Sequence, residues 1–291
     1  VSTIRYEAPQ SIEQAVHLMA ADPRAKVLAG GTDLLIQFRA GLAEPTAFID
    51  IKRIPGLIGI ALDDAGVRLG AATPAAEICE SAELDRLWPG LVEAVHLIGS
   101  TQIQGRGTVG GNLCNASPAA DSVCALIVNR AICVIAGPGG ERRMPVDQFC
   151  TGPGRTALAP GELLVAVEVP RPAARTADAY LRLIPRTEMD IAVVGAAVSV
   201  TLDRAGTCAA ARVAIGAVAP TARLVPEAGG ALIGTAVDEA ALRKAGEAAS
   251  AAARPIDDKR GTAPYRVRVT DVLVRRAAAI AAERARNIPE H

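Results

Sequence analysis

Two short glycine-rich stretches hold the residues best placed to do chemistry, Ala29-Gly30-Gly31-Thr32-Asp33 and Thr108-Val109-Gly110-Gly111-Asn112. The first follows the apolar run Lys26-Val27-Leu28-Ala29 and precedes an amphipathic segment, so it reads as a strand-to-helix turn. Backbone N–H groups at such a turn can converge on an anion, and glycine lets a phosphate approach the main chain. Thr32 adds a hydroxyl donor. The same pattern also serves an ordinary tight turn. In the second stretch, Gly105-Arg106-Gly107-Thr108-Val109-Gly110 matches G-x-G-x-x-G letter for letter. That fingerprint needs a strand before it, a helix after it and an acid roughly 20 residues further on. Here a polar connection after an expected helix precedes it, Gly111-Asn112 follows, and residues 123–135 contain no Asp or Glu. A Rossmann NAD site is excluded on those grounds. P-loop, H-E-x-x-H and G-x-S-x-G patterns are absent.

Other reactive residues are few. Three His stand at 17, 96 and 291, too scattered for a His-rich metal site. The six Cys (79, 114, 124, 133, 150, 208) include no Cys-x-x-Cys pair. Four lie between 114 and 150, but their spacing fits no ferredoxin pattern. Apolar contexts such as Val123-Cys124-Ala125-Leu126 read as small buried hydrophobes. No residue is read as catalytic and none as a metal ligand. With 31 Lys+Arg against 31 Asp+Glu the chain is neutral, which argues against nucleic acid or an anionic membrane as partner. No apolar run approaches the ~20 residues that span a bilayer. Val1-Ser2-Thr3-Ile4-Arg5 shows no apolar signal segment, so a soluble, cytoplasmic protein is expected.

The elements that must position these turns are readable from periodicity. Ser11-Ile12-Glu13-Gln14 is a capping box, and Ile12, Ala15, Val16 and Met19 share one helical face that ends at Pro23. Strands are expected at 26–29 and 47–51, with a helix at 34–39. Residues 57–62 and 67–71 form a hairpin around Asp63-Asp64-Ala65-Gly66. Thr73 caps a short helix that Pro74 opens, and a further helix covers 87–98. A second hairpin joins 131–136 to 142–144, and 163–169 is a strand. The Pro/Arg/Ala-rich segment 170–176 marks a boundary. Beyond it, 191–202 and 209–218 flank Asp203-Arg204-Ala205-Gly206 as a hairpin, followed by Ala-rich helices at 239–253 and 270–286. Helices after a hairpin suggest an α+β domain with helices on one sheet face.

Taken with their flanks, the two turns resemble one family. The run Ile98-Gly99-Ser100, then Arg106 through Leu113, then Ser117-Pro118-Ala119-Ala120-Asp121 pairs with Ala-Gly-Gly-Thr-Asp at 29–33. Gly152-Pro153, Leu158-Ala159-Pro160-Gly161-Glu162-Leu163-Leu164 and Arg182, Pro185-Arg186, Asp190-Ile191-Ala192 follow in the family's order. This looks like the medium, FAD-binding subunit of the molybdenum hydroxylases, the xanthine dehydrogenase family that includes carbon monoxide dehydrogenase. The likeness covers essentially the whole chain. It implies an α+β fold: a two-lobed FAD-binding domain of the vanillyl-alcohol-oxidase (PCMH) type, with lobes at 1–56 and 57–172, and a C-terminal α+β domain at 173–291.

Position by position, the resemblance implies that Val27, Leu28, Ala29, Gly30, Gly31, Thr32, Asp33 and Leu34 wrap the pyrophosphate of non-covalent FAD. Thr108, Gly110, Gly111, Asn112 and Asn115 form a second phosphate and ribitol cradle. Asp121 accepts from a sugar or ribitol hydroxyl, Ile98 stands near the isoalloxazine, and Leu164 and Arg182 lie at the ring or adenine ends. Alternatives stay open for four of these. Asp121 also suits a cap for a helix at 122–129, although the motif favours the ligand role; Asn112 suits a turn through its own backbone, Leu164 plain core, and Arg182 a solvated charge on a strand. The implied function is electron transfer: from two [2Fe–2S] clusters of a small subunit, through FAD, to an external acceptor. A large subunit meanwhile oxidises an organic substrate at a molybdenum–pterin centre, in a dimer of heterotrimers. Carbon monoxide dehydrogenases usually carry His-Ser after the first glycine pair, where this chain has Thr32-Asp33. An N-heteroaromatic, purine or aldehyde substrate is therefore favoured. A relative, 4-hydroxybenzoyl-CoA reductase, holds an extra iron–sulfur cluster on an insertion; Cys114, Cys124, Cys133 and Cys150 lie in a pattern without that insertion. The alternative readings are a stand-alone FAD oxidoreductase and a structural subunit that has lost FAD.

Overall fold

The computed structural model describes residues 4–288, so Val1, Ser2, Thr3, Pro289, Glu290 and His291 lie outside it. The first lobe runs β1 (Arg5–Glu7), α1 (Ile12–Ala21), β2 (Lys26–Leu28), α2 (Leu34–Arg39), β3 (Ala47–Asp50). Its three strands are parallel in the order β1-β3-β2. Ser11 caps α1 by accepting from the Gln14 N–H at 3.2 Å. Gln14 returns its side chain to the Gln10 N–H at 2.8 Å, one residue earlier than a capping box requires.

The second lobe begins with β4 (Ile60–Leu62) and β5 (Gly66–Gly70). Six helices follow: α3 (Ala75–Cys79), α4 (Ala82–Leu87), α5 (Pro89–His96), α6 (Thr101–Gln104), α7 (Val109–Asn115) and α8 (Asp121–Val128). Then come β6 (Ile132–Gly137), β7 (Gly140–Pro145), the small pair β8 (Cys150–Gly152) and β9 (Arg155–Thr156), and β10 (Leu163–Pro170). The main sheet is antiparallel, β4-β5-β10-β6-β7. Its two faces serve two cores. Val134, Leu163 and Val165 pack against Ala15, Ile49 and Ile51 of the first lobe. Ile135, Leu164 and Val167 pack under the helices, the alternation being shifted by a bulge between Leu164 and Ala166. Thr73 does not cap α3. Its hydroxyl bridges the N–H and C=O of Gly59 at 2.9 and 3.0 Å, and Pro74 takes the cap position without a side-chain bond.

The C-terminal domain comprises β11 (Thr176–Leu183), β12 (Val194–Leu202), β13 (Cys208–Gly216), β14 (Arg223–Leu224), α9 (Pro226–Gly230), α10 (Glu239–Ala252) and α11 (Ala263–Arg286). It is a four-stranded antiparallel sheet rather than a lone hairpin. Helix α11 starts well before 270, because Thr262 caps it and Pro264 sits in its first turn. The sheet is covered on both faces, not one. Ala196, Val198, Val213 and Ile215 share a core with α10 and α11. Tyr180, Ala197 and Ala214 join the core of the second lobe. Contact there is close: a Cβ on Gly90 of α5 would sit 2.7 Å from the Ala179 backbone. Among the described residues, no helix is long and apolar enough to cross a membrane.

Candidate functional site

A cleft of about 580 Å³ opens between the first and second lobes, and both glycine stretches line it. Residues 27–34 contribute every member except Leu28, whose side chain lies beneath Gly31, 2.9 Å from where a Cβ would stand. Gly31 has φ +77°, the left-handed backbone that turns β2 into α2 at low cost only for glycine. In this turn the N–H groups of Gly30, Gly31, Thr32, Asp33 and Leu34 find no protein acceptor among the described residues. Asp33 occupies the cap position of α2 without making a capping bond, and burial raises the pKa of its carboxyl. Gly30 is where the two stretches interlock. A Cβ on it would lie 1.8 Å from the Arg106 carbonyl oxygen.

The second stretch is itself helical, where its glycines alone suggest a turn. Thr108 caps α7, accepting from the Gly111 N–H at 2.8 Å, and Gly110 and Gly111 form its first turn. A helix therefore does follow the G-x-G-x-x-G string, but α6 precedes it in place of a strand, so the exclusion of a Rossmann site stands. Gly110 packs on the turn that follows β5, where a Cβ would approach the Ala71 carbonyl oxygen to 2.3 Å. Gly111 meets only the Thr108 hydroxyl, at 2.9 Å. Both glycines, Thr108, Asn112 and Asn115 line the cleft. Asn112 accepts from the Ser122 hydroxyl at 2.7 Å, tying α7 to α8 rather than serving its own turn. Asn115 accepts from Gln37 of α2 at 2.9 Å, a bond that joins the two lobes.

Ile98 and Leu164 line the cleft as well; Asp121 and Arg182 do not. Asp121 lies within α8, whose cap position is Ala120, so it is not a capping residue. It is buried, accepting from the Tyr180 hydroxyl at 2.7 Å and from Arg182 at 2.8 Å. Arg182 is no solvated charge. It also donates to the Leu97 carbonyl at 2.9 Å, next to Ile98. Two residues before Tyr180 on the same strand, Asp178 accepts from the Gly90 and Leu91 N–H groups (2.8 and 3.0 Å) and from Asn129 (2.6 Å). Alternate residues of β11 thus hold both ends of α5 and both ends of α8. Burial pushes the Asp121 and Asp178 carboxyls up to about 6, and the hydrogen bonds and the arginines oppose it only in part.

The resemblance assigns no role to several other lining residues: Lys26, Gln37, Leu42, Glu44, Cys114 and Glu162. Gln37 follows Leu34 by one helical turn, and that spacing is the signal that could have found it. Cys124, Cys133 and Cys208 are buried as expected of small hydrophobes, whereas Cys114 is exposed on the cleft wall.

This lining suits a nucleotide with a pyrophosphate. Of its charged side chains, Lys26 is the cation, set against Asp33, Glu44 and Glu162, the last already paired with Arg142 at 2.6 Å. Side-chain charge cannot hold a dianion here. Unpartnered backbone N–H groups can, with glycine giving the approach, and apolar Ile98 and Leu164 offer surface for a flat ring.

Known proteins agree with this chemistry. Residues 2–172 match the family described as FAD binding domain in molybdopterin dehydrogenase, and 179–281 match the CO dehydrogenase flavoprotein C-terminal domain. The carbon monoxide dehydrogenase medium chain of Hydrogenophaga pseudoflava is 36% identical over 273 residues, 94% of each chain. The xanthine dehydrogenase FAD-binding subunit of Escherichia coli O157:H7 is 36% identical over 218 residues, 74% of each. Among solved structures, Cu,Mo-CO dehydrogenase in its cyanide-inactivated form superposes with a TM-score of 0.93 at 35% identity, covering 97% of this chain and 98% of that one. The chain belongs to the FAD-binding medium subunits of the molybdenum hydroxylases, a family of oxidoreductases.

Proposed function

We propose that this chain is the FAD-carrying electron-transfer subunit of a heteromeric molybdenum hydroxylase. It works with a large molybdenum–pterin subunit, a small subunit bearing two [2Fe–2S] clusters and an external electron acceptor, in a dimer of heterotrimers. The observation that carries the reading is the run of five N–H groups from Gly30 to Leu34 with no protein acceptor among the described residues, on the wall of a cleft lined by no cluster of side-chain cations. FAD supplies the exchange of single electrons for pairs, and the protein supplies binding and tuning. Residues 29–34 would hold the pyrophosphate, and Thr108, Gly110, Gly111 and Asn115 the second phosphate and ribitol portion. Ile98 and Leu164 would flank the ring. Asp121 and Arg182 support the site from behind, since Arg182 pins the peptide that leads into Ile98.

The substrate belongs to the large subunit. Overall identity does not rank carbon monoxide against xanthine, both relatives being 36% identical. Thr32-Asp33 in place of His-Ser favours an N-heteroaromatic, purine or aldehyde. The test is to purify the full chain alone and with its large and small partners, recording visible spectra and turnover. The expected result is a yellow chain that is inert by itself on organic substrates and active in the molybdenum-loaded complex. Oxidation of an organic substrate by the isolated chain without molybdenum overturns the proposal.

A further inference from the structure

Behind the first glycine turn lies a polar chain that the FAD reading does not use. The parallel strands β2 and β3 end together, with Leu28 opposite Asp50. Just past those ends, the Lys52 ammonium donates to the Ala29 carbonyl at 2.9 Å and to Asp50 Oδ1 at 2.6 Å. Asp50 is buried and doubly held. It also accepts from the Lys52 N–H at 3.0 Å and from the Tyr6 hydroxyl, reaching over from β1, at 2.5 Å. Burial works against the Asp50 carboxylate, but its bonds from Lys52 and Tyr6 outweigh that and keep its pKa below the usual value. The ammonium is therefore fixed by two strands before any ligand arrives.

The Ala29 carbonyl and the Gly30 N–H belong to one peptide unit. The chain has no cis bond among the described residues, so in this unit the two groups point in opposite directions. Holding the carbonyl on the Lys52 side turns the Gly30 N–H the other way, and that N–H is the first of the five without a protein acceptor. A charged donor on the carbonyl also polarises the peptide, making its N–H a stronger donor to an anion.

We infer that Lys52 is a positioning residue for the pyrophosphate of FAD, acting through the Ala29–Gly30 peptide without lining the cleft itself. The inference rests on the FAD reading of the cleft. Titrating FAD into the flavin-free full chain, followed by flavin fluorescence, tests it alongside thermal melts. Lys52→Met is expected to raise the Kd for FAD about 10- to 100-fold, the effect of losing one charge-assisted hydrogen bond. Lys52→Arg, which keeps a cationic donor, is expected to stay within about threefold of the unaltered chain. Lys52→Gln, a neutral donor that spares the fold if Lys52→Met does not, falls between the two. A Kd for Lys52→Met or Lys52→Gln equal to that of the unaltered chain overturns the inference and leaves the FAD reading intact. So does a Lys52→Arg variant as weak as Lys52→Met with an equal drop in Tm, which marks a purely structural ion pair. Failure of the unaltered chain to bind FAD overturns the reading beneath it.

Discussion

At Gly30-Gly31 the chain passes from strand to helix through a residue at φ +77° and leaves five N–H groups without a protein acceptor among the described residues. At Gly110-Gly111 both glycines are already inside a helix, and the Gly111 N–H is taken by the cap Thr108. Two Gly-Gly pairs that look alike in the sequence therefore divide the work. The first presents donors. The second brings helix α7 close to the sheet and leaves open space beside Gly111. Within each pair the glycines divide again: Gly30 and Gly110 are packed against backbone, whereas Gly111 is bounded only by the Thr108 hydroxyl. A glycine near a ligand is thus not one kind of residue, and substitutions should separate those that build the cleft from those that keep it open.

Gly30→Ala should have the largest effect. Its Cβ would fall 1.8 Å from the Arg106 carbonyl, backbone that cannot rotate away. The two stretches would be forced apart, with an expected loss of about 3 kcal/mol of stability and of FAD together. Retention of either near its original level, by thermal melt and flavin content, would break the claim that this glycine joins the lobes.

Gly111→Val comes next and sharpens the contrast. No backbone from outside its own helix stands within 4 Å of its Cβ, and the nearest other atom is the Thr108 hydroxyl. Stability should fall by no more than about 1 kcal/mol, while the branched side chain fills space that the cofactor needs. Flavin content should drop about 100-fold in affinity terms, roughly 2.7 kcal/mol. Stoichiometric FAD in a well-folded Gly111→Val protein would show that the second stretch does not cradle it.

How much of this was legible follows from how local each feature is. The turn at residues 29–33 could be read because a strand, two glycines and a helix lie consecutively. Helix α7 could not, since Gly110, Gly111 and Asn112 are poor helix formers; it forms because Thr108 caps it and Ala71 lies where only glycine fits. The row Asp178, Tyr180, Arg182 alternates with Ala177, Ala179 and Leu181, a period-two pattern that marks a strand. Its partners Gly90, Asp121 and Leu97 are 59 to 88 residues away, and no local pattern names them. Thr73 shows the converse error: a Thr-Pro pair matches a helix start, yet the hydroxyl is claimed by Gly59 across the hairpin. Lys52 is of the same kind, its role set by the parallel register of β2 and β3.

Thr108→Ala tests the second stretch more gently. Losing the cap should cost about 1 kcal/mol and raise the Kd for FAD about fivefold, because α7 frays where Gly111 sits. The same experiment has a control in the first turn, whose cap position makes no such bond. If Thr108→Ala changes neither Tm nor Kd, α7 is held by packing at Gly110 alone.

The smallest expected effect is a pH dependence confined to the first turn. Asp33 lines the cleft beside the free N–H groups, and burial raises its pKa above the ordinary carboxylate value. Below that raised pKa the carboxyl is neutral and leaves the N–H donors unopposed. Above it a carboxylate faces the pyrophosphate, and like charges repel. Affinity for FAD should therefore be greatest at acid pH, fall as pH rises through the Asp33 titration, and then level off. Across a surface cleft the change amounts to about two- to fivefold. Asp33→Asn should remove this slope and bind FAD at neutral pH about as tightly as the unaltered chain does in acid. A slope that survives in Asp33→Asn would move the titrating group elsewhere, to the buried Asp121 behind Ile98, and would place the pH response at the ring end of the cleft rather than at its phosphate end.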